Sequence, residues 1–275
     1  DVTNYVMLEI GQPLHAFDDA ELAGAVHVRL PTPGEKLLLL NEQTVTPTAD
    51  TALIADDEKP LAMAGIMGGE HSGISDSTRD LFLESAFFPP AAIAGKVRAL
   101  GFSSDASHRY ERGVDFELQR RAIERATQLI LENCGGQPGP VVEAVAPEHL
   151  PQRRPVTLRS ARVARVLGIT LPDERIEGML KSPGLQVERL AEGFRVTPPS
   201  FRFDIEIEED LIEEIARIHG YDNIPSLPPV ARMAMMPANE SQKSAMALRR
   251  QVADRDYHEV VTYSFVEAAW EADFA

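Results

Sequence analysis

The stretch GFSSDASHRYERGVD, Gly101–Asp115, divides the first half of the chain. It holds three Ser, two Asp, one His, two Arg and a Tyr, with a small Ala at 106 and Gly near either end. It is too polar for a core strand and shows no apolar helical period, so it reads as an ordered polar loop. Its Arg and His suit an anionic or polar ligand, and its small residues would let that ligand approach closely. The composition fits a self-bonding surface loop equally well, because Ser and Asp satisfy backbone groups locally. Short strands are expected before this loop, and the order strand, two helices, hairpin, helix well after it, so the fold class is α+β.

Upstream, residues 3–10 (TNYVMLEI) read as the end of a short helix closed by Gly11. The turn GQPLHAFD follows, where His15 is either a packed loop histidine or a functional one. Short strands are expected at Ala25–Leu30, Lys36–Leu40, Thr51–Asp56, Pro60–Ile66 and Asp80–Ala86, separated by turn signals. The continuous apolar run Leu37–Leu40 predicts a central strand covered on both faces. Gly65, Gly68 and Gly69 could present backbone N–H groups to a ligand or simply form a tight turn; no phosphate-loop or dinucleotide fingerprint accompanies them. Glu84 falls in the apolar run LFLESAFF, where a carboxylate must find solvent or a partner. A buried carboxylate at this point is a candidate for holding a ligand hydroxyl.

Downstream, a helix is expected over 90–100 and another over Phe116–Cys134, with Asp115 as N-cap and Gly135 as terminator. Residues 137–155 hold five prolines and read as a linker. A small module follows: strand Val156–Arg159, helices 161–167 and 173–182, hairpin Leu185–Leu190 with Gly193–Thr197, and an acidic helix. On that helix Ile207, Leu211, Ile215 and Ile218 form a core stripe. Asp210, Glu213 and Glu214 are three and four apart and predict one shared exposed face, with Asp204 just upstream. An oxygen-only cluster suits a hard cation such as Mg²⁺, or is a solvated acidic face favoured by the helix dipole. Residues 225–240 are again linker-like, 241–256 read as an amphipathic helix and Glu259–Val266 as a strand.

Length and composition set bounds. The chain has 275 residues, 44% apolar and 25% charged, enough for about two domains of roughly 100–200 residues each. A net charge of −16 argues against a protein that coats nucleic acid. The one cysteine, Cys134, excludes an internal disulfide framework and fits a reducing, cytoplasmic setting. No apolar run approaches the ~18 residues that span a bilayer, so no membrane is expected.

Six stretches together resemble the β subunits of bacterial phenylalanyl-tRNA synthetases: residues 1–18, MAGIMGGEHSGISD (63–76), LESAFF (83–88), the loop through Gly113-Val114-Asp115, SFRFDIEIEEDLIEEIARIHGYDNIP (200–225) and DYHEVVTYSF (256–265). The resemblance runs nearly end to end and implies an internal piece of a longer chain. It implies a mixed α/β editing domain with a central sheet over 1–150 that lacks its N-terminal part. A small α+β module with a DNA-binding-protein-like fold would occupy 151–226, and a linker with the truncated start of a class II synthetase catalytic-like domain 227–275. The family's α subunit charges tRNA(Phe) with phenylalanine using ATP, in an α2β2 heterotetramer. The β subunit hydrolyses mischarged tyrosyl-tRNA(Phe).

By that resemblance Glu84 accepts the phenolic hydroxyl of tyrosine, Ala106 leaves room for its ring, Gly68 and Gly69 bring backbone near, and His15 lies near the ester. Ser104, whose hydroxyl would face the ligand, stands where the family pattern has Thr, keeping the hydroxyl and losing a methyl. His108, Arg109 and Arg112 would meet phosphate or structure the loop. Asp204, Asp210, Glu213 and Glu214 would be ligands of a Mg²⁺ shared with the α subunit. Pro183, where an apolar residue is expected, would end its helix early. No residue is assigned as a general base. The competing reading is a non-catalytic scaffold that only supports the α subunit. A stand-alone metallohydrolase is disfavoured, since the acidic cluster and the pocket residues fall in different expected domains.

Overall fold

Gly11 and Pro13 end helix α1 (Val2–Ile10) and turn the chain into strand β1 (Leu14–Asp18). This strand occupies the turn in which His15 was expected to sit on a loop. The fold is that of a computed structural model, which describes residues 2–228, 230–233, 239 and 243–273. Two compact units divide at Pro225–Ser226.

In the first unit, short strands follow β1: β2 (His27–Arg29), β3 (Leu37–Leu38), β4 (Thr44–Val45), β5 (Leu53–Ala55), β6 (Pro60–Met63), β7 (Met67–Gly68) and β8 (Leu81–Ser85). β2-β5-β6-β7 form a four-stranded antiparallel sheet. β1 pairs with β8, and β3 with β4. The expected central strand at Leu37–Leu40 is therefore corrected to half of a small hairpin. Leu37 and Leu39 are buried while Leu40 is half exposed, so the run alternates faces even though all four residues are apolar. Phe17, Leu39, Leu53, Leu61, Met63 and Ile93 are the largest side chains sealed in this core. Each contributes about 1.5–3 kcal/mol through burial.

The helix expected over 90–100 is two short ones, α2 (Pro90–Ile93) and α3 (Lys96–Leu100), parted at Ala94-Gly95. The polar loop contains a helix, α4 (Asp105–Tyr110). Its inner face consists of Ala106, the fully buried Ser107 and Tyr110. A buried serine leaves no apolar stripe for a periodicity reading to find. Helix α5 (Gln119–Cys134) starts three residues later than expected; Asp115 Oδ1 instead accepts from Glu117 N in a local turn at 3.0 Å. α5 packs on α1 through Val6, Ala122 and Ala126.

Strand β9 (Val156–Arg159), helices α6 (Ser160–Leu167) and α7 (Asp173–Lys181), hairpin β10 (Gln186–Leu190) with β11 (Gly193–Thr197), and helix α8 (Glu208–His219) build a second core in the same unit. The sheet order is β10-β11-β9, antiparallel throughout. The two halves of the unit touch at the end of the polar loop. A Cβ on Gly113, whose φ is +118°, would lie 2.4 Å from Phe203 Cγ. Arg153 stacks over Phe116 with 5.5 Å to the ring centroid and donates to Ser200 O at 3.4 Å.

The second unit contains α9 (Ala245–Ala253) and α10 (Ala268–Asp273) among its described residues. The strand expected at Glu259–Val266 is not formed: no ladder partner is recorded for it among the described residues, and Val261 is 98% exposed. A strand needs a neighbour to hold its backbone groups. No helix among the described residues is long and apolar enough to cross a membrane.

Candidate functional site

A cavity of about 800 Å³ opens beside β1, β7, β8 and α4. His15, Gly68, Glu84, Ser104 and Ala106 all line it, although up to 91 residues separate them in sequence. Gly69 is not among the lining residues. Its N–H donates to Leu61 O at 2.7 Å, and a Cβ there would sit 2.5 Å from the same oxygen. It serves sheet packing rather than backbone access for a ligand.

Two strands bring His15 and Glu84 together. In the β1–β8 register His15 lies opposite Glu84, so both side chains stand on one face of the ribbon. The His15 ring meets Phe17 edge-on, with centroids 4.5 Å apart. Its Nε2 is buried without a hydrogen-bond partner. Burial pushes its pKa down to about 4, so the imidazole is neutral at physiological pH. The ring lies against Gly68, where a Cβ would fall 2.3 Å from His15 Cε1. Gly68 therefore makes room for the histidine, a different reason from the expected approach of backbone to ligand.

Glu84 reaches deep among apolar neighbours while keeping some surface on the cavity. Burial alone raises its pKa to about 7. A carboxyl held in this way favours a ligand that offers a hydrogen-bond donor.

Ala106 sits on the first turn of α4, and the helix is fixed at both ends. At its start Ser104 Oγ donates to Ile66 O at 2.6 Å and accepts from Ser107 N at 3.1 Å, while Ser107 Oγ accepts from Ser104 N at 3.0 Å. This is a reciprocal capping box. The Ser104 hydroxyl, expected to face the ligand, is instead committed to the helix cap and the Gly65–Ile66 turn. At the other end Tyr110 is buried, with its hydroxyl 3.0 Å from Ala86 O. Burial, with the nearby Glu84, raises its pKa. Arg109 bonds back to Asp105 O at 3.0 Å, and Arg112 to His108 O at 3.1 Å and His108 Nδ1 at 3.0 Å. These charged side chains brace the helix and its exit.

The sequence reading missed one residue here. Gln12 is fully buried, and its amide contacts Pro13 O, Ala86 O and Tyr110 Oη at 2.9, 2.8 and 3.2 Å. A polar side chain beside a proline turn was its only signal.

The expected Mg²⁺ ligands are placed differently. Arg202 donates to both oxygens of Asp204, at 2.8 and 2.7 Å, and to Glu214 Oε2 at 2.8 Å. Arg217 adds two bonds to Glu214, at 3.0 and 2.7 Å. Asp210 Oδ2 accepts from the backbone N–H groups of Glu206 and Ile207, each at 2.8 Å, and caps α8. Glu213 is exposed. Glu214 is buried rather than sharing an exposed face with Asp210 and Glu213. The arginines, Arg217 foremost, hold its pKa down to about 2. Among the described residues no group of three or more His, Cys, Asp or Glu could hold a metal ion. These acids do not fit a Mg²⁺ site in this arrangement: guanidinium groups already satisfy Asp204 and Glu214.

Comparison with known proteins gives the lineage. A B3/4 domain model matches residues 1–135, a tRNA synthetase B5 domain model 156–221, and a phenylalanyl tRNA synthetase beta chain CLM domain model 224–275. The chain is 64% identical over 274 residues to the phenylalanine–tRNA ligase beta subunit of Aromatoleum aromaticum, covering 100% of this chain and 35% of that protein. It is 65% identical over 277 residues to that of Dechloromonas aromatica, covering 100% of this chain and 34% of that protein. The chain thus spans about a third of the length of these curated relatives. A solved N-terminal fragment of the phenylalanyl-tRNA synthetase beta subunit from Pyrococcus horikoshii aligns at 16% identity and a TM-score of 0.40, over 80% of this chain and 64% of that one. Three successive domain models, together with relatives that match along the whole of this chain, establish that the chain belongs to the phenylalanine–tRNA ligase beta-subunit family.

Proposed function

We propose that residues of the first unit form a hydrolytic editing site that releases tyrosine from mischarged tRNA(Phe). In the same proposal an α partner, assembled with this subunit as α2β2 in the cytoplasm, charges tRNA(Phe) using ATP. The observation that carries the reading is that Glu84 and Ala106 line one cavity, with the neutral imidazole of His15 opposite the carboxyl.

The physical need is plain. Phenylalanine and tyrosine differ by one hydroxyl, and an apolar synthetic pocket rejects an added hydroxyl only weakly. The reverse selection is strong, because a site built to bond a hydroxyl loses that bond with the analogue lacking it. Glu84 is such a group: among the described residues no cation pairs with it, and burial alone shifts it. Ala106 provides space for the ring. The free Nε2 of His15 can accept or donate one hydrogen bond near the ester. The ribose hydroxyl of the substrate can help orient the attacking water, and no residue is assigned as the general base.

The second unit supports association with a further protein surface. Val260, Val261, Tyr263 and Phe265 are 76–98% exposed, apolar side chains that invite cover.

The test is deacylation of tyrosyl-tRNA(Phe) by the complete enzyme. Glu84→Ala lowers kcat/KM by about 10–100-fold, the worth of a hydrogen bond to a charged group. Ala106→Trp fills the cavity and abolishes hydrolysis. Phenylalanine charging persists in both. Unchanged deacylation in both variants would leave the scaffold reading in its place.

A further inference from the structure

The β1–β8 ladder ends at Leu14 opposite Ser85. The next residue along β1, Pro13, has no N–H with which to continue pairing. The carbonyl of Ala86, just past β8, is taken by side chains instead: Gln12 Nε2 at 2.8 Å and Tyr110 Oη at 3.0 Å. Gln12 Nε2 also lies 2.9 Å from Pro13 O and 3.2 Å from Tyr110 Oη. On its other side Gln12 Oε1 accepts from Gln119 Nε2 at 3.1 Å, and Gln119 Nε2 also donates to Asp115 O at 2.7 Å. Gln12 is 0% exposed and Tyr110 3%. Four elements, β1, β8, α4 and α5, meet at this one buried amide.

Its position relative to the cavity matters. Glu84 is two residues before Ala86, on the same side of the strand. Ala106 is four residues before Tyr110, one turn away on the same helix face. The amide and the phenol therefore fix the strand that carries the carboxyl against the helix that carries the small residue. The far end of α4 is held separately, by Ser104 on Ile66 O.

We infer that Gln12 and Tyr110 are positioning residues that set the gap between Glu84 and Ala106, and through that gap the selectivity for a ring bearing a para hydroxyl. This rests on the editing function proposed above. The hydroxyl of a bound ring must reach Glu84 while the ring clears Ala106, so a change in the gap affects the hydroxyl-bearing ester most. A misplacement of about 1 Å can cost on the order of 100-fold in a positioned reaction.

The experiment compares hydrolysis of tyrosyl- and phenylalanyl-tRNA(Phe) by the complete enzyme in wild type, Gln12→Met and Tyr110→Phe. Gln12→Met keeps the volume and removes the amide; Tyr110→Phe keeps the ring and removes only the hydroxyl. The tyrosyl-over-phenylalanyl ratio of kcat/KM is expected to fall at least about tenfold in Gln12→Met and about threefold in Tyr110→Phe, mostly through KM for the tyrosyl ester. Phenylalanine charging serves as the control for assembly. A purely structural role would lower stability and both hydrolysis rates together, leaving the ratio unmoved. A ratio within twofold of wild type in the folded variants overturns the inference. Should Gln12→Met fail to assemble, Tyr110→Phe decides alone. A wild-type enzyme with no preference for the tyrosyl ester overturns the editing function, and this inference with it.

Discussion

His15 and Glu84 face each other across two paired strands, and burial drives both toward their neutral forms. The histidine is pushed down to about 4 and the glutamate up to about 7. At neutral pH they are therefore not an ion pair. The imidazole is neutral and the carboxyl is poised between its two states. Such a wall can exchange hydrogen bonds with an uncharged phenol and an uncharged ester without repelling either.

The glutamate carries a stability cost whose sign can be worked out. Its pKa rises from 4.5 unfolded to about 7 folded, so the fold prefers the protonated form. Nothing is lost below pH 4.5; the cost grows through the range 4.5–7 and is complete above 7, at about 3 kcal/mol. Glu84→Gln never ionises. It should raise stability by up to that amount at pH 8 and change little at pH 4.5. Denaturant melts of wild type and variant at the two pH values check this. An equal shift at both would show that the carboxyl is not desolvated.

Gly68→Ala should disable the site without touching the carboxyl. The added Cβ would stand 2.3 Å from His15 Cε1 and 2.6 Å from Nε2, inside contact distance. The ring must turn away or the β6–β7 hairpin must shift, at about 1–3 kcal/mol. Hydrolysis of the tyrosyl ester should fall at least as far as in His15→Ala, and the double variant should lose no more than the worse single one. Additive losses would show that Gly68 acts independently of the histidine.

Ser104→Ala removes the cap hydroxyl of α4 and the bond to Ile66 O. Loss of an N-cap costs about 0.5–2 kcal/mol. The buried Ser107 is left with half of its reciprocal pairing, so the upper part of that range is expected. Ser104→Thr keeps the hydroxyl and should restore both stability and hydrolysis. Thermal melts read the first, and the deacylation assay the second.

The sequence made some of this legible and hid the rest for identifiable reasons. The second core was readable because its strands and helices carry regular periods: β11, Leu211 and Ile215 bury as their spacing predicts, whereas Ile207, expected in the same stripe, sits at the N-cap of α8 and is 56% exposed. Strand β1 was not, because Pro13 and His15 within GQPLHAFD look like a turn, and its pairing with β8 lies about seventy residues away. Helix α4 was hidden by its polar inner face. Glu84 and Ala106 could be named from their motifs. That they share a cavity depends on how β8 and α4 are tied together, and the residues that do this, Gln12 and Tyr110, carry no chemical signature of a site. The charge pattern around Glu214 misled because spacing shows which carboxylates are neighbours on a helix but not which arginine folds back onto them.

That arginine cluster supplies the last prediction. Glu214 is 8% exposed in its side chain and bonded by Arg202 and Arg217. Its pKa is depressed from 4.5 to about 2, so it stabilises the fold fully above pH 4.5 and loses that contribution as pH falls toward 2. The shift corresponds to about 3 kcal/mol. Glu214→Ala also strands Arg202, whose side chain is 16% exposed and, among the described residues, keeps Asp204 alone as a carboxylate partner. Removing one partner of a buried pair costs about 3–5 kcal/mol. Denaturant unfolding at pH 7, 4 and 3 should show the gap between wild type and Glu214→Ala widest at pH 7 and narrowing as the solution is acidified. Arg217→Ala, which removes an exposed partner and leaves Arg202 in place, should cost about 1 kcal/mol or less. A gap that does not change with pH would show that Glu214 acts through packing and not through its charge.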